Sequence, residues 1–546
     1  HDGYTPESAM VFLDRDITFT VEDEAEARSY AEADPQFTVI EQTAFGEWQV
    51  TRKAGAQVRV PRRATLNRRI GGLFPTDFDP ARWGIPASML DSIDPIAVWN
   101  LVSAVDAFVS AGFSPAELLR VVHPATVAST QGTGFGGMRS MHKLFVDRFL
   151  GEDYPQDILQ ETLPNVVAAH TMQSYVGGYG SMINPVGACA TAAVSIEEGL
   201  DKIKAGKADF VVAGAIDDIQ VESIVGFGAM NATANSNELL ARGISPRFVS
   251  RANDRRRGGF VEAQGGGTVL LTRASVALDM NLPVLAVVAH AQTFSDGAHT
   301  SIPAPGLGAL AVARGGRDSV IARNLAELGV GIDDVSFVSK HDTSTNANDP
   351  NESDLHTRVG TALGRTPGNP LLVISQKTLT GHAKGGACVF QVGGIIDVFR
   401  TGLIPANVAL DCVDDAMEKY SPLVWLRSPL NLSSRGPVRA AFATSLGFGH
   451  VSGFLALVNP AAFEAIVERE AGRERLEAWR AASDRRLRNG QRHIEMGMLG
   501  HAPLFTSVEG RRLPDDPAAG VAGDAHEVEA AILLDPNARL GEDGFY

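Results

Sequence analysis

The sequence is short of cysteine, with three in 546 residues, at positions 189, 388 and 412. Their number and wide spacing exclude a disulfide framework and a structural zinc site, so a reducing, cytoplasmic setting is expected. Positive charge is also scarce. The 48 Lys and Arg face 64 Asp and Glu, for a formal net charge of −16, which excludes a nucleic-acid binder working by phosphate neutralisation. No apolar run approaches the ~20 residues of a membrane span, and the opening HDGYTPESAM lacks the charged-then-apolar order of a signal peptide. No His-x-x-x-His pair or nearby cysteine completes a metal set. What is present is 44% hydrophobic content in a long chain, enough for a substantial core and two or more structural halves. Opening on His1, the chain is expected to belong to a longer polypeptide.

Up to about Trp83 no catalytic pattern is visible. The acidic block at 21–28 and the basic one around Arg62, Arg63, Arg68 and Arg69 read as solvated faces. Regular structure begins at Asp94, an N-cap followed by Pro95 at the first helical position. Val98, Leu101, Val102, Val105 and Val109 then share one stripe that ends before Gly112. A second helix is predicted from Ala190, with Ala193, Ile196, Leu200 and Ile203 on one face and a stop at Gly206. It yields to the apolar strand Phe210-Val211-Val212-Ala213, a succession that implies a parallel sheet.

The same grammar returns as strands at 284–289, 335–339 and 371–375, a helix at 387–400, and strands near Ala440 and at 454–458. Chemistry-bearing residues follow the ends of these strands, the edge where open α/β sheets bind ligands. Two α/β halves are expected. The division is 1–86 as a linking segment, 87–280 and 281–460 as the halves, and 461–546 as an extension. The last is a charged helix and a Gly-, Pro- and Asp-rich tail, read as a connector ordered only in part.

Cys189 lies in NPVGACATAA, a small-residue turn opening an amphipathic helix. Unpaired N–H groups and the positive end of the macrodipole at such a site lower a thiol's pKa and favour the thiolate. A lone cysteine is otherwise a small buried hydrophobe, the reading kept for Cys388 and Cys412. His341, in KHDTSTNAND, and His382, in QKTLTGHAKGG, each follow an apolar strand, so both can converge on one cavity. Two neutral imidazoles donating N–H groups to one carbonyl oxygen would stabilise enolate charge.

Taken together, the chain resembles the β-ketoacyl synthases of the thiolase superfamily over roughly 87–460. The resemblance rests on GTGFGG at 132–137, GACATAA at 187–193, the two histidine loops, and GFGH at 447–450. It implies a five-layered α-β-α-β-α fold made of two similar halves and a Cys189-His341-His382 site that takes an acyl group from acyl carrier protein. It also implies that Lys377 supports His382 within a network including Glu352, and that the Cys189 and Phe448 N–H groups form an oxyanion hole with Phe448 as gate. Thr343, Thr345, Gly447 and Gly449 would line the phosphopantetheine path. No cofactor would be bound directly; the pantetheine belongs to the carrier.

VVAGAIDD, GFGAMNATANSNELLARGISPR, GGFVEAQGGGTVLL and SIPAPGLGAL resemble more closely the synthase domains inside type I fatty acid synthases of fungi and actinobacteria. That implies a homodimeric unit within a larger homo-oligomer, with the carrier and other synthase domains as partners. Two positions depart from the family pattern: Asp342 and His450 replace glycines.

Three alternatives stay open: a catalytically silent scaffold, a thiolase, and an acyl-thioester hydrolase. The thiolase would need a second cysteine in the late glycine loop, which has none. The cluster Arg251, Arg255, Arg256 and Arg257 reads either as internal salt bridging or as a carrier-docking patch.

Overall fold

The computed structural model describes residues 4–63, 66–146, 155–297, 306–505 and 525–541. Two compact units emerge, one of His1–Arg69 with Val221–Ala229, the other of Ile70–Gln220 with Met230–Tyr546. Residues 301–305 of SIPAPGLGAL and 506–524 of the tail lie outside the described residues.

The first unit carries strands β1 (Tyr4–Phe12), β2 (Ile17–Val21), β3 (Thr38–Gln42), β4 (Trp48–Arg52) and β5 (Gln57–Arg63). All pairings are antiparallel: β1 with β5, and β4 between β2 and β3. The acidic block starts the helix Glu24–Ala33. The Asp23 carboxylate accepts the Glu26 N–H at 2.8 Å, and exposed Glu24 and Arg28 pair one turn apart. The block is thus a solvated face with a capped, dipole-matched start.

In the second unit β6 (Val127–Ser129), β7 (Phe210–Asp217) and β8 (Gly265–Thr272) form one sheet. The second sheet is built from β9 (Val287–Ser295), β10 (Val335–Ser339), β11 (Leu371–Ile374), β13 (Leu423–Trp425), β15 (Ala440–Gly447) and β16 (Val451–Val458), while β12 (Leu403–Ile404) pairs apart with β14 (Leu430–Asn431). Its order is β13-β11-β10-β15-β16-β9. The expectation of parallel sheets is met only for β6–β7 and for β13, β11, β10 and β15; β8 and β16 run antiparallel. Residues 448–450 turn β15 straight back into β16, with Gly449 at φ 82° and His450 at φ 68°. Such a tight reversal permits only an antiparallel neighbour. β9 starts three residues later than predicted and runs further, because its register is set by pairing along β16 and its His290, Gln292 and Thr293 hide it in an apolarity count.

Strand periodicity shows why five layers form. On β10 Phe337 faces one apolar cluster and Val338 another; on β15 Ala441 and Ala443 alternate with Ala440 and Phe442 in the same way. The shared inner cluster holds Ala192, Ala193 and Ile196 of the helix Thr191–Lys204 and Val392, Ile395 and Val398 of the helix Ala387–Thr401, against β7 and the second sheet. Those two helices are the middle layer. Outside the first sheet lies the helix Pro95–Ser110, its Asp94 cap accepting the Ile96 N–H at 3.0 Å. Helices Val320–Glu327 and Asn348–Ala362 cover the second. The result is the α-β-α-β-α arrangement.

The stretch from Ala461 is more than a partly ordered connector. Helices Ala461–Ala471 and Arg473–Met498 bury Phe463, Val467, Leu476 and Trp479 in the outer cluster, and Trp479 Nε1 donates to Leu282 O at 3.1 Å. Burying side chains of this size contributes about 2 kcal/mol each, which a high charge content concealed. Among the described residues, no helix is long and apolar enough to cross a membrane.

Candidate active site

Both middle-layer helices begin at the same place, and the chemistry collects there. Cys189 occupies a 3-10 turn, Ala188–Ala190, that runs directly into Thr191–Lys204. Ala188 adopts φ 47°, a left-handed value that alanine rarely takes. The late glycine loop packs on this turn. A Cβ on Gly447 would lie 2.4 Å from Gly187 O, the Ser445 hydroxyl donates to Cys189 O at 2.7 Å, and the Phe448 N–H points at the thiol. Gly449, in contrast, borders open space.

The helix N-terminus alone predicts a lowered thiol pKa. Burial reverses that: with Cys189 only 3% exposed, its thiol is pushed up to about 11, against the opposing pull of Lys377 and the Phe448 amide. The resting group at neutral pH is therefore the thiol. His382 Nε2 lies 3.1 Å from Sγ, and the His382 ring meets that of His341 edge-on at 5.2 Å between centroids.

Each histidine is held differently. The His341 N–H donates to Glu352 Oε1 at 2.5 Å and the Asp342 N–H to Oε2 at 2.9 Å, so one buried carboxylate fixes the loop. Thr444 also donates to Glu352. Lys377, implied by resemblance to support His382, makes its hydrogen bonds to His341, its Nζ 3.1 Å from Nδ1 and 2.5 Å from the carbonyl oxygen. Burial lowers the Lys377 pKa, with Glu352 opposing; as the ammonium it can only donate, and Nδ1 then accepts with the His341 proton on Nε2. His382 is held by its backbone: its N–H donates to Val261 O at 2.7 Å and its carbonyl accepts from Ala263 at 3.1 Å. Its ring packs edge-on against Phe260, and Nδ1 has no hydrogen-bond partner among the described residues, so neither tautomer is locked. Burial, then the Lys377 charge, keeps both imidazoles neutral, well below the usual histidine range.

The two departures from glycine fall where the backbone turns left-handed, Asp342 at φ 36° and His450 at φ 68°. Asp342 is held there by its carboxylate, which pairs with buried Lys340 at 2.6 Å and accepts from Ser375 at 2.6 Å and Asn253 at 2.8 Å. Thr343 and Thr345 bond each other through their hydroxyls at 3.0 Å, and Thr345 caps Asn348. Three of the four arginines are engaged internally: Arg251 with Asp254 and Asp411, Arg256 with Asp411, and Arg257 with Asp414 and Asp349. Arg255 is the exposed one.

Sequence reasoning missed Asp217. At the tip of β7 it accepts from Thr133 Oγ1 at 2.8 Å, Gly134 N at 2.9 Å and Gly385 N at 2.6 Å, pinning the GTGFGG turn to the second histidine loop. The available signal was a carboxylate ending a wholly apolar strand.

The Cys189 sulfur and one nitrogen from each histidine lie within 4.8 Å of one another, a shape that could receive a soft divalent ion. The Lys377 ammonium beside His341 opposes a dication there, so the donor set suits a neutral, polarisable substrate better than a metal.

Comparison with known proteins agrees with this geometry. The family profile described as "Beta-ketoacyl synthase, N-terminal domain" matches residues 38–277, and the "Beta-ketoacyl synthase, C-terminal domain" matches 285–411. The fatty acid synthase alpha subunit pigJ of Monascus ruber is 33% identical over 91% of this chain and 30% of its own length. Fatty acid synthase alpha subunit stcJ of Emericella nidulans is 36% identical over 89% and 30%, and the alpha subunit of Saccharomyces cerevisiae 29% over 99% and 32%. The chain thus spans about a third of the length of these relatives. The crystal structure of the ketosynthase FabY from P. aeruginosa superposes with a TM-score of 0.79 at 22% identity, covering 92% of this chain and 78% of that one, which shows the fold.

Proposed function

The chain belongs to the β-ketoacyl synthase family, and from that premise we propose that it is the condensing domain of a type I fatty acid synthase, joining an acyl group to a malonyl unit with loss of carbon dioxide. The observation that carries the reading is the 3.1 Å approach of His382 Nε2 to the Cys189 sulfur in a buried cluster that also presents His341, whose Nδ1 faces Lys377.

In the first half-reaction the Cys189 thiol gives its proton to neutral His382 as Sγ attacks an acyl thioester. The C–S bond to the carrier breaks, the carrier thiol takes the proton, and acyl-Cys189 remains. The Cys189 and Phe448 N–H groups receive the oxyanion. In the second half-reaction the malonyl thioester oxygen accepts N–H bonds from His341 Nε2 and from His382 in its other tautomer. The bond to the carboxylate breaks, carbon dioxide leaves, and the electron pair becomes an enolate. Its carbon attacks the acyl-Cys189 carbonyl, the C–S bond breaks, Cys189 leaves as the thiolate and takes one proton from solvent to restore the thiol, and a 3-oxoacyl thioester remains on the carrier.

In this reading Thr343 and Thr345 bond the pantetheine amides, Gly447 and Gly449 shape its path, Phe448 gates the pocket, and Glu352 supports the His341 loop. The synthase proper is 87–460, in halves 87–280 and 281–460, flanked by 1–86 and 461–546. Acyl carrier protein and other synthase domains are its partners in a cytoplasmic assembly. Exposed Met182, Ile183 and Val186, just before the nucleophile turn, support a homodimer. Near-complete burial of Cys189 favours condensation over hydrolysis. The test is incubation with acyl- and malonyl-carrier protein followed by mass spectrometry: condensation gives acyl-Cys189 and 3-oxoacyl-carrier, a hydrolase gives free acid, and a scaffold leaves Cys189 unmodified.

A further inference from the structure

Two residues beyond His382 stands a buried lysine that the proposed mechanism does not use. Lys384 is 1% exposed and adopts φ 47°, a left-handed conformation that a lysine side chain disfavours. Its turn, Lys384–Gly386, opens the helix Ala387–Thr401 and packs against the Ala188–Ala190 turn carrying Cys189. The approach is tight. A Cβ on Gly385 would meet Asp217 Oδ2 at 2.7 Å and Thr191 Cβ at 3.0 Å, so the backbone next to Lys384 rests on the first residue of the nucleophile's helix. The ammonium pairs with Glu262 Oε1 at 3.3 Å and lies 5.9 Å from the Phe135 ring centroid. Glu262 itself bridges by backbone to His382.

A buried charge pair is weak evidence for stability, since apolar residues of similar volume do as well or better. Strained backbone plus an enclosed cation on the turn packed against the nucleophile's turn points to function instead. We propose that Lys384, aimed by Glu262, is a positioning residue that holds positive charge against the Cys189 turn and favours the thiolate as the acyl group is taken on and released. It acts through space and touches no substrate.

The other charged or titratable groups facing the sulfur are Lys377, Asp217, His341 and His382. Among them Lys377 and Lys384 both pull the thiol pKa down, and Asp217 pushes it up. With two cations the thiolate gains support from two turns, Lys377 beside His341 and Lys384 from the turn that pins Asp217.

The inference rests on Cys189 being the nucleophile, and the test separates the two. The full chain is titrated with iodoacetamide from pH 6 upward, following the alkylation of Cys189 by peptide mapping. Failure of the wild-type chain to alkylate Cys189 at any pH contradicts the nucleophile reading itself. Given wild-type labelling, Lys384→Met should move the midpoint upward by roughly one pH unit, Lys384→Arg should restore it, and Glu262→Gln, which removes the carboxylate paired with the ammonium, should move it downward. The double variant Glu262→Gln/Lys384→Met, which removes both members of the pair, should still be shifted upward. A double variant back at the wild-type midpoint, or a Glu262→Gln midpoint unchanged, would make Lys384 a purely structural partner of Glu262 and overturn the proposal.

Discussion

Lys377 Nζ lies 3.1 Å from Nδ1 of His341 and also donates to the His341 carbonyl oxygen. This contact makes the two histidines unequal: His341 is a fixed Nε2–H donor, while His382, with Nδ1 unpartnered, can accept a proton from Cys189 and later donate one. Lys377→Met should therefore slow malonyl decarboxylation roughly 100-fold, the scale of losing one oriented donor, with a smaller loss in acyl-Cys189 formation. Carbon dioxide release and single-turnover acylation, measured separately, check the ratio; equal losses would contradict the assignment.

Asp342 sits at a glycine-like φ, yet glycine should not improve it. Asp342→Gly relieves the backbone but leaves the Lys340 ammonium, fully buried and 2.6 Å from the carboxylate, without its charge partner. Breaking a buried pair outweighs a left-handed residue's strain, by about 3 kcal/mol against about 1. Denaturant unfolding should show Asp342→Gly clearly less stable than the wild-type chain.

His356 is buried with Nε2 3.0 Å from Thr444 Oγ1, and burial followed by the Lys340 charge lowers its pKa to about 3. The unfolded chain then binds a proton that the folded chain refuses, between the ordinary value of 6.5 and about 3. Stability is accordingly full above pH 6.5 and falls on acidification through that window. Denaturant midpoints between pH 4 and 7 should decline less steeply for His356→Gln than for the wild-type chain.

The Cys189-His341-His382 cluster has a metal-like shape but a cation beside it. Exhaustive chelation should leave condensation unchanged. Loss of activity on chelation, restored by a stoichiometric metal, would contradict this.

Much of the fold was legible where one physical signal dominates. The Asp94-Pro95 cap, the amphipathic stripe after Ala190 and the apolar run at Phe210 all lie where the pattern placed them. Strand direction was not legible, because the β15–β16 reversal depends on the dihedral angles of residues 448–450 and on no apolar period. The helix holding Trp479 was underrated because its charged face outnumbers its buried one. In the site, Cys189, His341, His382 and Lys377 were singled out by motif, yet the bonds from Lys377 to His341 and the raised thiol were unexpected. Both depend on three-dimensional enclosure. Asp217 escaped for the same reason: its donors come from residues 133–134 and 385.

The central claim is that Cys189 carries the acyl group during carbon–carbon bond formation. It is tested most directly by mixing the chain with a carrier-bound acyl thioester, mapping the modified peptide by mass spectrometry, and then adding malonyl-carrier protein. The account predicts acyl mass on Cys189 that is chased into 3-oxoacyl-carrier with equimolar carbon dioxide, and neither in Cys189→Ala. Acylation elsewhere, or a Cys189→Ala chain that still forms the 3-oxo product through a covalent intermediate, would contradict it.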